Sequence, residues 1–160
     1  MEGARRAEPG DAARLRELRQ AARVELGPMR GGELFLRREG DEHGRAGGDE
    51  HEPDGSAERP VWVGTIDGEV VGYASAHTDD VGEGRRLAVI DAIFVEEGAR
   101  GVGVGEALME GILSWCREQG CFGVDAAALP GHRSTKNFFE GSGFTARLLV
   151  MHHRLGGGDG

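Results

Sequence analysis

The chain has 160 residues, 38% of them hydrophobic and 29% charged, and a formal net charge of −9. That length suits one domain with a core of its own. The acidic balance argues against nucleic acid as a partner, because such a surface repels phosphate backbones, yet it is compatible with a cationic substrate such as an amine. The longest apolar runs, such as "LLVM" at 148–151, are about four residues, too short for a membrane span or a signal-peptide core, so the expectation is a cytoplasmic protein with no membrane partner.

"ARRAEPGDAARLRELRQ" opens with a short segment that suits an edge strand. A helix is predicted from Asp11 to Leu26, with Leu15, Leu18, Ala22 and Leu26 at helical spacing and Gly27-Pro28 to end it. "GGELFLRREG" predicts a second, short helix that buries Leu34 and Phe35. Residues 37–60 change character, being rich in charge, Gly and Pro with Ala46 and Ala57 as the only apolar residues. Such a segment buries too little surface to offset its ordering entropy and reads as an acidic, mobile loop insert. It carries an echo, "DEHGR" and "DEHEP", but His43 and His51 have no framework to fix ligand geometry, so no metal site is expected.

Strands follow the loop. "VWVGTIDGEVVGYASAHT" reads as a hairpin turning at Asp67-Gly68. "RRLAVIDAIFVEE" is apolar on both faces and is expected to be central in the sheet. A helix is predicted from Val104 to Gln119, with Val104, Leu108, Ile112 and Trp115 as its apolar stripe and Gly120 past its end. "CFGVDAAAL" predicts a strand, "PGHRSTKNFFEGSG" a short helix, "FTARLLVMHHRL" a final strand, and the glycine-rich residues 155–160 a frayed tail. Cys116 and Cys121 lack metal or redox spacing and read as reduced, buried apolar residues. The order predicts an α/β (α+β) fold, a mixed, largely antiparallel sheet flanked by helices. Residues 1–36 and 61–154 form one domain around the insert.

Between the apolar strand and the Val104 helix lies "EEGARGVGVGEALMEG". A strand that enters a glycine-rich turn and then a helix is an anion site: backbone N–H groups at the helix start are free, and the dipole favours negative charge. The dinucleotide pattern fails here, since the third glycine would fall on Glu106 or Leu108, and the Lys-Ser/Thr of a P-loop is absent. Arg-x-x-Gly-x-Gly does fit, at Arg100, Gly103 and Gly105. With "IFVEEGARGVGVGEALM" upstream and "HRSTKNFFEGSGF" downstream, where Glu140, Gly143 and Phe144 keep the expected spacing, the chain resembles the GNAT acetyltransferase superfamily over about residues 3–154.

The resemblance implies a GNAT-type sheet and acetyl-CoA as cosubstrate. It places the CoA pyrophosphate on Arg100, Gly101, Val102, Gly103, Val104 and Gly105, and the pantetheine along Ile93, Phe94 and Val95, where a backbone N–H near Val95 polarises the thioester carbonyl. An acceptor ammonium must lose a proton before it attacks. The candidate bases are Asp91 and Glu96, with His77 behind them. The alternative reading makes Asp91 a structural hydrogen-bonding residue and Glu96 a solvated loop carboxylate. Where the family carries a tyrosine acid this chain has Phe139, and where it carries an asparagine this chain has His132. His132, Ser134 or Cys121 then remain as proton donors, unless the thiolate, with a pKa of about 8.5, leaves unaided. His132, Arg133 and Lys136 suit contacts with CoA, and Tyr73, the only tyrosine, reads as a packing residue. The expected activity is direct acetyl transfer to an amine. The alternatives are a non-catalytic acyl-CoA-binding module or a protein lysine or N-terminal acetyltransferase. A homodimer is left open.

Overall fold

The structure, a computed structural model, describes residues 1–37 and 58–156. The greater part of the acidic insert, with His43 and His51, lies outside the described residues, as do the last four residues of the tail. Strand β1 (Glu2–Arg6) leads through a 3-10 turn at Pro9–Asp11 into helix α1 (Ala12–Leu26), and a short helix α2 covers residues 32–37. Strands β2 (Val61–Ile66), β3 (Glu69–Asp80) and β4 (Arg86–Val95) follow, then helix α3 (Val104–Glu118), strand β5 (Gly123–Ala126) and helix α4 (Arg133–Gly141).

Among the described residues the sheet has five strands in the order β1-β2-β3-β4-β5. The first four are antiparallel to their neighbours and β5 runs parallel to β4. The hairpin between β2 and β3 turns at Asp67 and Gly68, both at positive φ, as the primed turns of tight hairpins require. β4 is interior to the sheet, as its two-sided apolar pattern predicts, but β3 occupies the middle.

Period-two alternation divides the strands between two cores. Val61, Val63, Tyr73 and Phe94 face α1, where they meet Leu15, Leu18 and Ala22. Trp62, Ala74, Ala76, Ala88 and Ile90 face α3, where they meet Val104, Leu108, Ile112 and Trp115. The Trp62 and Trp115 rings meet edge to face at 5.9 Å. α3 lies close on the sheet because Gly64 has no side chain: a Cβ there would stand 2.5 Å from Val104 Cγ1.

Two expectations are corrected. Leu34 is exposed on α2 rather than buried, while Phe35 is half-buried. The predicted last strand does not form: residues 144–155 have no regular structure, and Leu148, Leu149, Val150 and Met151 are 71–81% exposed. The reason lies in both partners. Four apolar residues in a row do not specify one face of a strand, and β5, four residues long, offers a short edge for pairing. Phe144 still packs on Phe139, and Arg147 Nε donates to Asp125 Oδ1 of β5 at 2.8 Å.

The N-terminal strand is locked to α1 by one buried carboxylate. Asp11 accepts two hydrogen bonds from the Arg5 guanidinium (2.8 and 3.0 Å) and one from the Glu8 backbone N–H (2.7 Å). The bonded Arg5 holds the Asp11 carboxyl below the usual carboxylate range. A depressed folded pKa means that this stabilisation is complete above the unfolded value of about 3.9 and is lost as pH falls through the folded value. Asp11→Ala is expected to cost about 1–3 kcal/mol at neutral pH, and denaturant titrations should show the difference from wild type shrinking in acid. Gly64→Ala is expected to cost about 1–3 kcal/mol through overpacking against α3, read as a drop in Tm with no change in the pH dependence.

Candidate active site

β4 and β5 pair from Leu87↔Gly123 to Ile90↔Ala126 and then part. The gap beyond that point opens into a cleft. Its lining includes Asp91, Ala92, Ile93 and Phe94 from β4 and Ala127, Ala128 and Leu129 after β5. Ala22 and Leu26 of α1 with Phe35 of α2 cover it from one side, and Tyr73, His132, Thr135 and Phe139 complete it.

A β-bulge puts Asp91 there. In the β3–β4 register Ser75 faces Ala92 and Ala76 faces Ile90, so Asp91 is the extra residue of β4. The bulge turns its side chain to the same face as His77, whose Nδ1 lies 2.7 Å from Asp91 Oδ1. The alternative reading of Asp91, a hydrogen bond to a neighbouring strand, is thus present together with a place in the cleft wall. Tyr73, expected to be a packing residue, packs on Phe94 (6.2 Å) and also lines the cleft. A signal for it existed: Tyr73, Ser75 and His77 share one face of a period-two strand.

The other candidates are distributed around this cleft. His132 is the N-cap residue of α4 and lines the cleft, with Nδ1 2.8 Å from Thr135 Oγ1. Phe139 lines it with an apolar ring. Glu96 lies past the end of β4, ion-paired at 2.9 Å with Arg14 of α1 and absent from the cleft lining. Lys136 is exposed and paired with Glu140 at 3.2 Å. Ser134 is exposed. Burial pushes the Cys116 thiol up to about 11 and raises that of Cys121, so both stay protonated at neutral pH and neither lines the cleft. Both are free thiols.

The glycine loop leads from β4 to α3. Gly101 and Gly103 have φ of 81° and 97°, and Gly103 is the N-cap of α3. These left-handed positions favour glycine, and the first-turn N–H groups of an α-helix have no intrahelical partners. Gly105 serves a different end: a Cβ there would stand 3.1 Å from Phe138 of α4, a contact that the sequence pattern did not reveal. The Arg100 guanidinium turns back from the loop. Nε donates to the Val95 carbonyl at 2.7 Å, the terminal nitrogen meets Glu25 of α1 at 2.8 Å, and the group lies 5.5 Å from the Phe94 ring centre.

No helix among the described residues is long and apolar enough to cross a membrane, and no cluster of three or more His, Cys, Asp or Glu there could hold a metal ion.

The same arrangement of elements occurs in known structures. The aminoglycoside N-acetyltransferase AAC(6')-Iy, solved with the bisubstrate analogue CoA-S-monomethyl-acetylneamine, matches with a TM-score of 0.67 at 21% identity, over 97% of this chain and 98% of that one. An acetyltransferase from Trypanosoma brucei matches with a TM-score of 0.65 at 24% identity, over 97% and 100% of the two chains. A protein from Agrobacterium tumefaciens described as an acetyltransferase matches with a TM-score of 0.69 at 20% identity, over 96% and 99%. At these identities the likeness is one of fold. No curated protein sequence matches this chain significantly. The model of the acetyltransferase (GNAT) family matches residues 15–144, from α1 through the glycine loop to the end of the α4 segment, and the chain belongs to that family.

Proposed function

We propose that this protein transfers the acetyl group of acetyl-CoA directly to the amine of a small cationic acceptor, with Asp91 as the base. Acetyltransferase activity and the use of acetyl-CoA come with family membership. The acceptor class and the roles of single residues are our reading. The observation that carries it is the buried Asp91 carboxylate in the wall of the cleft, beside the point where β4 and β5 part.

The residues present fit the cosubstrate. Gly101 has open space where a Cβ would stand, and the first turn of α3 offers unpaired N–H groups to a pyrophosphate. The gap beyond Ile90 and Ala126 leaves β4 without a strand on its β5 side along Ile93 and Phe94, as an extended pantetheine requires. Arg100 acts from behind by tying the loop to α1 through Glu25. An acyl thioester bound there supplies an electrophilic carbonyl carbon and a thiolate leaving group.

At the acceptor end, Asp91 takes the ammonium proton, and the apolar rim of Leu26, Phe35 and Leu129 excludes water. α1 and α2 cover the cleft, which favours a small amine over a peptide chain. The net charge of −9 favours approach by a cation. Tyr73 and His132, both in the cleft lining, hold protons within the cleft for the departing thiolate, a role that Phe139 cannot fill.

The test combines a thermal shift with an assay of thiol release from acetyl-CoA, using a panel of arylalkylamines, polyamines, neamine and a lysine peptide. Acetyl-CoA at 100 times its Kd should stabilise the protein by about 2.7 kcal/mol. Gly103→Glu should abolish that shift, because it sets a carboxylate and a strained φ at the loop. Asp91→Asn should keep the shift and lower kcat by about 10²–10⁴. No shift with saturating acetyl-CoA, or wild-type turnover by Asp91→Asn, would refute the assignment.

A further inference from the structure

Proton balance sets a requirement that Asp91 alone does not meet. An alkylammonium (pKa about 10) enters the site with three N–H protons and leaves as an amide with one. As the N–C bond forms and the C–S bond breaks, one of the two lost protons ends on the CoA thiol. The other must leave the site in every turnover. Asp91 receives it at a carboxylate whose side chain is only 3% exposed, under a cleft that the acceptor fills.

A path away from Asp91 exists on the same face of the sheet. His77 stands on β3 with its side chain 11% exposed, its Nδ1 2.7 Å from Asp91 Oδ1 and its Nε2 3.3 Å from Asp79 Oδ1. Asp79 follows two residues later on the same strand face, with its side chain 56% exposed. The three groups run in a line from the buried wall of the cleft to solvent. The bulge at Asp91 is what brings the first two together. An imidazole is the one side chain that takes a proton at one nitrogen and releases another from the second near neutral pH.

We propose that Asp91, His77 and Asp79 form a proton exit path, a role that rests on reading Asp91 as the base of the acetyl transfer. The ammonium proton passes to Asp91, from Asp91 Oδ1 to His77 Nδ1, and a proton leaves His77 Nε2 for Asp79 or the water around it. Asp91 is thereby restored as a carboxylate. Once the products have left, water in the emptied cleft takes the Nδ1 proton while Nε2 regains one from solvent through Asp79, which returns the imidazole to its starting tautomer with no net change in protons. His77 does not touch the acceptor and acts through Asp91. Other charged groups on the elements over this face are Arg19 of α1, which lies over the Tyr73 ring at 5.7 Å, Glu25 of α1, and His132, whose Nε2 is 4.0 Å from Glu25. Glu25 is held by Arg100.

The experiment measures thiol release by the full-length protein with acetyl-CoA and an amine from the panel that the wild type acetylates, at fixed pH and rising imidazole concentration. His77→Gln should lower kcat by about a hundredfold, leave KM for acetyl-CoA unchanged, and regain activity as imidazole rises. The wild type should not respond to the buffer. Asp79→Asn, at the exposed end where folding is not at risk, should show a smaller loss with the same recovery. A merely structural role gives a loss that no buffer restores, and that result would overturn the path, as would unchanged kcat in His77→Gln. Wild-type protein that binds acetyl-CoA but acetylates none of the amines overturns the underlying reaction instead. That failure is distinguishable because it appears before any variant is made.

Discussion

Halfway along its length β4 loses its partner on one side. Up to Ile90 it is hydrogen-bonded to β5, and beyond that residue its outward N–H and C=O groups have no strand to meet. An unpaired backbone edge inside a protein is costly unless something pairs with it. Here the open edge lies in the wall of the cleft, where the proposed function seats the cosubstrate in extended form. The bulge at Asp91 adds a second consequence at the same place: two successive residues, Asp91 and Ala92, turn toward the α1 side. Two neighbouring irregularities in strand pairing, one on each side of β4, thus set an opening in the sheet and a carboxylate beside it.

The glycine loop depends on the same strand. It begins where β4 ends, and its direction is set by two left-handed residues and by the Arg100 anchor to α1. The alternate glycines have different physical reasons. Gly101 and Gly103 allow a backbone turn that other residues resist, whereas Gly105 leaves room for the Phe138 ring. That contact holds α4, which carries His132 and Phe139 into the cleft, against the start of α3. The glycine-rich turn and the cleft wall are therefore parts of one packed unit.

Charged side chains follow a consistent division. Arg5, Arg14 and Arg100 each join a strand or loop to another segment through a carboxylate: Asp11, Glu96 and Glu25 respectively. These pairs fix the position of α1 over the sheet, and α1 in turn covers the cleft. Asp91 is paired with a histidine instead. A guanidinium partner would keep Asp91 ionised through any step of a reaction, while an imidazole is able to exchange protons with it.

Local patterns in the chain were enough to place most elements and the glycine-rich turn before α3. Helical spacing marked α1 and α3, Asp67-Gly68 marked the hairpin, and Arg100, Gly103 and Gly105 carried the family resemblance, because each of these signals acts over a few neighbouring residues. The final strand failed for lack of a local signal of face, since Leu148 to Met151 do not alternate. The site itself was legible only as a set of candidates. Nothing local distinguishes Asp91 from Glu96, five residues apart on one strand and its exit. Tertiary structure separates them: the bulge turns Asp91 toward His77 and the cleft, while Arg14, eighty-two residues away in sequence, holds Glu96. Tyr73 likewise enters the cleft because β3 and β4 pair in this register. Sequence determined which residue types and turns the chain possesses, and the long-range pairing of strands decided which of them meet.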